Sequence, residues 1–206
     1  MIDLYTAATG NGRRATLMLE ECGLPYNAHK IEIGKGANKP AEFLKLNPQG
    51  TVPVLVDPEG PDGKRLVLNQ SAAIVMYLAG KTRKLVPQDA FTRQIAHQWI
   101  MFAITDVAPA SSGIFYASSL LPEKVPSAVA FFETRFLDLC RIVDGRLGQS
   151  AYLASDEYSL ADVMLYPVIV GRQALVDKTA ELTNLKRWAA AIATRPAVVR
   201  MLKVAA

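Results

Sequence analysis

The chain has 206 residues, half of them apolar and a fifth charged, with a formal net charge of +4 and a pI near 9.1. That is enough chain for one large domain or two small ones with real cores, and too apolar for a disordered protein. The basic residues are scattered, and pairs such as Arg13-Arg14 and Lys186-Arg187 fall inside helical patterns, so the sequence points to anionic small molecules and not to nucleic acid.

The longest apolar stretches are broken by Asp162 or Pro167, short of the roughly 18 uninterrupted residues of a membrane span, so no membrane association is expected. The opening Met1-Ile2-Asp3-Leu4-Tyr5 lacks the basic start and apolar stretch of a signal peptide, and a cytoplasmic location is expected. Cys22 and Cys140 are far apart, each within an apolar helical stretch, and read as reduced, buried thiols. His29 and His97 stand alone, without Cys or carboxylate at ligand spacing, so no metal is expected.

In chain order, Ile2 to Tyr5 reads as a short strand leading into the polar loop Ala8-Thr9-Gly10-Asn11-Gly12. Ala15, Met18, Leu19 and Cys22 recur at helical spacing, and Gly23 ends that helix as a cap. Tyr26 to Ile33 alternates like a strand, and Pro40 to Leu46 forms a short helix stopped by Asn47-Pro48. Val52 to Val56 and Arg65 to Leu68 are two further strands joined by the turn Pro58 to Gly63, and Ser71 to Ala79 is again helical. The order βαβαββα predicts a four-stranded mixed sheet covered by helices over residues 1–81. Residues 82–88 form a charged, proline-containing linker, and residues 89–206 show only helical periodicity. Within that all-α domain, Ser159 and Asp162 have the spacing of a capping box, with Tyr158 and Val163 as the hydrophobic staple. The following helix, Val163 to Val170, is apolar all round, and a last amphipathic helix carries Leu185, Trp188, Ala189 and Ile192.

Three places in the first domain have chemical potential, each with a plain structural alternative. In Thr51-Val52-Pro53-Val54 the proline either simply starts a strand or sits on a cis peptide, which turns the Val52 N–H and C=O outward to pair with a peptide ligand. Asn69-Gln70-Ser71 lies where a strand gives way to a helix, so it is either an N-cap by Ser71 or a carboxylate site at the helix start. Thr9-Gly10-Asn11-Gly12 opens the first helix. Asn11 is either a cap or one of a set of donors that stabilise a thiolate, which has to arrive on a ligand because no cysteine is nearby.

Taken together, Thr9-x-Asn11, Asn47-Pro48-x-Gly50-x-Val52-Pro53, Gln70-Ser71-x-Ala73-Ile74 and Ser159-x-x-Asp162 resemble a cytosolic glutathione S-transferase over essentially the whole chain. The opening residues, Thr9-Gly10-Asn11-Gly12 and Ile33-Gly34-Lys35-Gly36 are most similar to the bacterial nu class of glutathione-dependent disulfide reductases and peroxidases. The resemblance implies a thioredoxin-like first domain with a cis bond before Pro53, an all-helical second domain, and a homodimer. It implies glutathione, reduced or oxidised, as co-substrate, acting on a small disulfide, peroxide or electrophile. Thr9 and Asn11 would activate the glutathione sulfur, Val52 and Pro53 hold the cysteinyl backbone, Gln70 and Ser71 the γ-glutamyl end, and Asn38 the glycyl end. Trp99, Phe102, Phe115 and Tyr116 are candidates for the wall of the second-substrate site. Conjugation to electrophiles, or glutathione binding without turnover, remain the alternatives. The chain departs from the class at Gly10, where proline is common, at Gln70, where glutamate is common, and at Ala130-Phe131, near which a basic residue contacting a second glutathione is expected. Tyr5, inside a strand, reads as packing.

Overall fold

The computed structural model describes residues 1–34 and 39–204. The chain forms two compact units, Met1–Lys84 with Thr194–Ala206, and Leu85–Ala193.

The first unit has the expected order: β1 (Ile2–Thr6), α1 (Gly10–Cys22), β2 (Tyr26–Lys30), α2 (Ala41–Leu46), β3 (Val54–Asp57), β4 (Leu66–Asn69) and α3 (Ser71–Thr82). The strands lie in the order β2-β1-β3-β4, with β1 parallel to β2 and antiparallel to β3, and β3 antiparallel to β4. This is a thioredoxin-like sheet. Alternation on β1 buries Ile2, Leu4 and Thr6, whereas every residue of β3 is buried, as suits a strand covered on both faces. Helix α1 ends at Gly23, whose φ of 66° is the left-handed conformation that glycine adopts without a Cβ penalty.

Boundaries differ from expectation where pairing runs out. β2 stops at Lys30 instead of Ile33 because β1 offers only five partners, and the Ile31 N–H to Thr6 C=O bond of 2.9 Å closes the ladder. α3 runs on to Thr82, into the expected linker.

The second unit is helical: α4 (Ala90–Phe102), α5 (Ala108–Phe115), α6 (Pro126–Leu147), α7 (Leu160–Val170), α8 (Gln173–Lys178) and α9 (Thr183–Ala193). Wide helical turns at Ala103–Val107 and Tyr116–Leu120 make 90–120 one continuous helical run. Contrary to the sequence reading, that run is long and apolar enough to cross a bilayer by length and composition. Interruptions such as Thr105, Asp106, Ser111 and Ser112 break a strict run of apolar residues without lowering its average much. Its buried stripe, from Ala96 through Val107 to Ala117, packs against α6 and α7, as a core helix does. The capping box is formed in full, and α7 is buried along nearly its whole length.

The chain then returns. The sequence predicts a second domain through residue 206 with its last helix at Ile192, yet α10 (Pro196–Val204) lies in the first unit, against α1. Ala197, Val198 and Met201 are buried there. Arg195 holds the nearly buried Glu21 carboxylate with bonds of 2.6 and 2.8 Å, and Arg200 reaches Glu20 at 2.6 Å.

Candidate functional site

The site is built where β1 hands over to α1. Thr9 is the N-cap, so it and not Asn11 has the capping role: its Oγ1 accepts the Gly12 N–H at 3.1 Å, while its C=O accepts from Arg13 at 2.9 Å. The bond from Gly12 uses an oxygen lone pair and leaves the hydroxyl's own proton to donate. Gly12 is needed for close approach: a Cβ there would sit on the Ala7 carbonyl oxygen and within 2.8 Å of Thr6 Oγ1. The helix start is thereby pressed onto the end of the strand, with Thr9 part-buried and Asn11 exposed.

Beneath Asn11 lies Arg14, one helical turn on, 1% exposed and fully inside the unit. Its Nη1 donates to Asn11 Oδ1 at 2.8 Å and to Ser71 Oγ at 3.4 Å, and Ser71 Oγ donates to Asn11 Oδ1 at 3.3 Å. Burial pushes the guanidinium down to about 10, still a cation at neutral pH.

Ser71 opens α3 as its first residue. The N-cap is Gln70, which makes no side-chain cap bond, so Ser71 does not cap. Gln70 turns β4 into α3 in one step with φ 73° and ψ 112°, a positive-φ conformation that costs a non-glycine residue on the order of 1–3 kcal/mol. Its side chain is exposed. The first turn of α3, beside Ser71, is the positive end of that helix's dipole.

The Val52–Pro53 peptide is cis. The Val52 side chain packs into a core cluster with Ala7, Ile31, Phe43 and Val54. The β1–β3 pairing begins at Val54 opposite Tyr5, so the Val52 backbone lies outside that ladder. The approach is held by buried Asn47, whose Nδ2 donates to the Thr51 carbonyl at 2.8 Å and whose Oδ1 accepts from Asn69 at 3.4 Å. Tyr5 stacks on His29 with ring centroids 4.6 Å apart and lies 5.7 Å from Phe43, a packing role.

The structure therefore brings Thr9, Asn11 and Ser71 together in the first unit. Asn38 lies outside the described residues. Of the aromatic candidates in the helical unit, Trp99 is buried edge-on to Phe102 with centroids 5.3 Å apart, while Phe115 and Tyr116 form a second, exposed pair. In the same unit, Ala130 lines a concavity of about 370 Å³ with Lys124 and Glu133, and Phe131 is exposed. Both cysteines are buried, and desolvation raises both thiols, that of Cys140 to about 12. Among the described residues no group of three or more His, Cys, Asp or Glu gathers as a metal site.

Sequence reasoning missed Arg14 and Asn47 as site-building residues. Arg14 had one available signal: four residues before Met18, it shares the helix's buried face, where a cation needs a reason.

The profile of the glutathione S-transferase N-terminal domain matches residues 11–81, and that of the C-terminal domain matches residues 123–196. The chain is 32% identical over 203 residues to disulfide-bond oxidoreductase YfcG of Escherichia coli strain K12, covering 98% of this chain and 94% of that one. The chain belongs to the glutathione S-transferase family. It is also similar to a second family member, disulfide-bond oxidoreductase YghU of the same strain, at 31% identity over 97% of this chain and 73% of that one. Among solved members, a glutathione transferase from Burkholderia graminis with two glutathione molecules bound per subunit superposes with a TM-score of 0.86 at 34% identity, covering 98% and 87% of the two chains. One from Pseudomonas putida with one glutathione disulfide bound gives 0.89 at 28% identity, covering 100% and 92%.

Proposed function

We propose that this protein uses the thiolate of bound glutathione to reduce small disulfides and peroxides. The observation that carries the reading is the position of the sulfurs. The chain's own thiols are buried with raised pKa, while a cluster of hydrogen-bond donors at the start of α1 has no protein thiol beside it. A thiolate is the reactive form, and a hydroxyl, an amide and the positive end of a helix all favour it over the thiol. Thr9 Oγ1–H and the Asn11 amide are the donors in this reading. The Val52 backbone pairs with the cysteinyl residue as an added strand does, and Gln70 with Ser71 and the first N–H groups of α3 receives the γ-glutamyl end. The similarity to two proteins named disulfide-bond oxidoreductases favours disulfides over other electrophiles.

In the reaction, the glutathione thiolate attacks one sulfur of the disulfide, forming a mixed disulfide and expelling the other sulfur as a thiolate, which takes up a proton. A second glutathione thiolate resolves the mixed disulfide, so two glutathiones are oxidised to glutathione disulfide while the substrate becomes two thiols. Of the exposed aromatics of the helical unit, which also include Phe91 and Phe131, the pair Phe115 and Tyr116 is assigned to the second substrate in this reading. A cytoplasmic homodimer completes the reading.

The test is turnover of bis(2-hydroxyethyl) disulfide by glutathione, compared with conjugation of 1-chloro-2,4-dinitrobenzene. Disulfide reduction dominates, and Asn11→Ala lowers kcat far more than it raises KM for glutathione. Conjugation without reduction assigns the site to electrophiles, and unchanged turnover in Asn11→Ala removes Asn11 from the chemistry.

A further inference from the structure

Asparagine is an ambiguous donor. Rotation about its last side-chain bond presents either an NH₂ group, which stabilises an anion, or a carbonyl oxygen, which repels one. Nothing in Asn11 itself selects between them, because the residue is exposed at the helix start. Arg14 removes the ambiguity. Arginine carries five donors and no acceptor, so the Asn11 atom 2.8 Å from its Nη1 has to be the oxygen. The Ser71 hydroxyl, 3.3 Å from the same oxygen, adds a second donor to it. With the oxygen engaged twice from inside the unit, the NH₂ group is the end left for a ligand.

The charge adds to this. Arg14 is almost entirely buried, so its charge-assisted hydrogen bond to Asn11 Oδ1 is strong and polarises the Asn11 amide. It also touches both halves of the site, since Asn11 opens α1 and Ser71 opens α3, 57 positions from Arg14 in the chain. A bond to Ser71 alone would serve to stitch two helices. The bond to the oxygen of an exposed asparagine serves the surface.

We propose that Arg14 is a positioning residue for the glutathione thiolate, locking Asn11 with its NH₂ group toward the sulfur. This rests on the reading that the glutathione sulfur is bound at Thr9 and Asn11.

The readout that a merely structural role leaves unmoved is the ionisation of bound glutathione, followed by thiolate absorbance near 240 nm as pH is varied, beside the pH profile of kcat. In Arg14→Met the bound thiol titrates at least one unit higher than in the unaltered protein, and kcat near pH 7 falls about tenfold and recovers as pH rises. Affinity for S-methylglutathione, which has no ionisable thiol, changes by less than about threefold on the same reasoning. Arg14→Lys keeps the charge and a donor and restores most of the thiol ionisation. In an Asn11→Ala background, Arg14→Met changes kcat no further, because the partner it positions is gone. Where Arg14→Met does not fold, Arg14→Gln, which loses the charge and offers Asn11 an acceptor as well as a donor, takes its place in the titration and the cycle. An unchanged bound-thiol titration in the folded Met or Gln variant, or effects of that variant and Asn11→Ala that simply multiply, overturns the assignment of Arg14 alone. Absence of any bound thiolate signal in the unaltered protein overturns the placement of the glutathione sulfur, and the role of Arg14 with it.

Discussion

Replacing Asp162 by alanine tests how the helical unit is held at its centre. The Asp162 carboxylate is completely buried and accepts four bonds: from Leu153 N–H at 3.1 Å and Trp188 Nε1 at 2.8 Å on Oδ1, and from Ser159 N–H at 2.9 Å and Ser159 Oγ at 3.1 Å on Oδ2. Desolvation pushes its carboxyl up, against the downward pull of Trp188, Leu153 and Ser159. In Asp162→Ala the Ser159 hydroxyl can turn elsewhere, but two backbone N–H groups and an indole N–H stay buried without an acceptor. At about 1–3 kcal/mol each these cost about 3–9 kcal/mol. Release from burying a charge offsets part of this, for a net loss of about 3–5 kcal/mol. The assay is equilibrium urea unfolding followed by tryptophan fluorescence. Trp99 and Trp188, the only tryptophans, both belong to the helical unit. With a slope of about 2 kcal/mol per molar urea, the midpoint falls by roughly 2 M. Asp162→Asn, which keeps an oxygen for Trp188 and Leu153, loses less than the alanine variant. A midpoint change below about 0.5 M in Asp162→Ala, or an Asn variant as unstable as the Ala one, refutes the donor count as the source of stability.

Gly12→Ala places a methyl group on the Ala7 carbonyl oxygen and pushes the start of α1 off the sheet, so kcat/KM for disulfide reduction falls about 10–100-fold; unchanged kinetics show the helix start to be tolerant. A Cys22→Ala, Cys140→Ala double variant keeps glutathione-dependent reduction within about twofold, and its loss moves the reactive sulfur onto the protein. Burial raises the Asp57 carboxyl, but the hydrogen bonds from Lys81 at 2.6 Å and Tyr77 at 2.7 Å outweigh it, so it titrates below its ordinary value of 3.8. Its stabilisation is therefore complete above the unfolded value and lost as pH falls through the lower folded one. The Tm advantage of the unaltered protein over Lys81→Met, clear at pH 7, narrows only as the pH is lowered below about 4, and a gap constant with pH refutes the pairing.

The elements of the first domain and the capping box were legible in the sequence because they are local. A helix shows itself by apolar residues three and four apart, a strand by alternation, and Ser159 with Asp162 by three-residue spacing, and none of these needs knowledge of a distant partner. Thr9, Asn11, Val52 and Gln70 could be named, but only as a set whose members individually read as a cap, a strand start or a turn. Even then the cap at α1 fell to Thr9 and the cap at α3 to Gln70, since which side chain caps depends on backbone angles that residue types only bias.

What the tertiary structure alone decided is contact between segments far apart in the chain. Nothing near residues 195–204 announces that α10 returns to α1, because its apolar face suits any apolar surface and its arginines suit any carboxylate. Arg14 looked like one scattered charge of a basic protein until α1 packed on α3 and closed it between Asn11 and Ser71. Local sequence sets the shape of each piece. Burial, which places an ordinary arginine beneath the start of α1 with its guanidinium on Asn11 and Ser71, comes only from how the pieces pack.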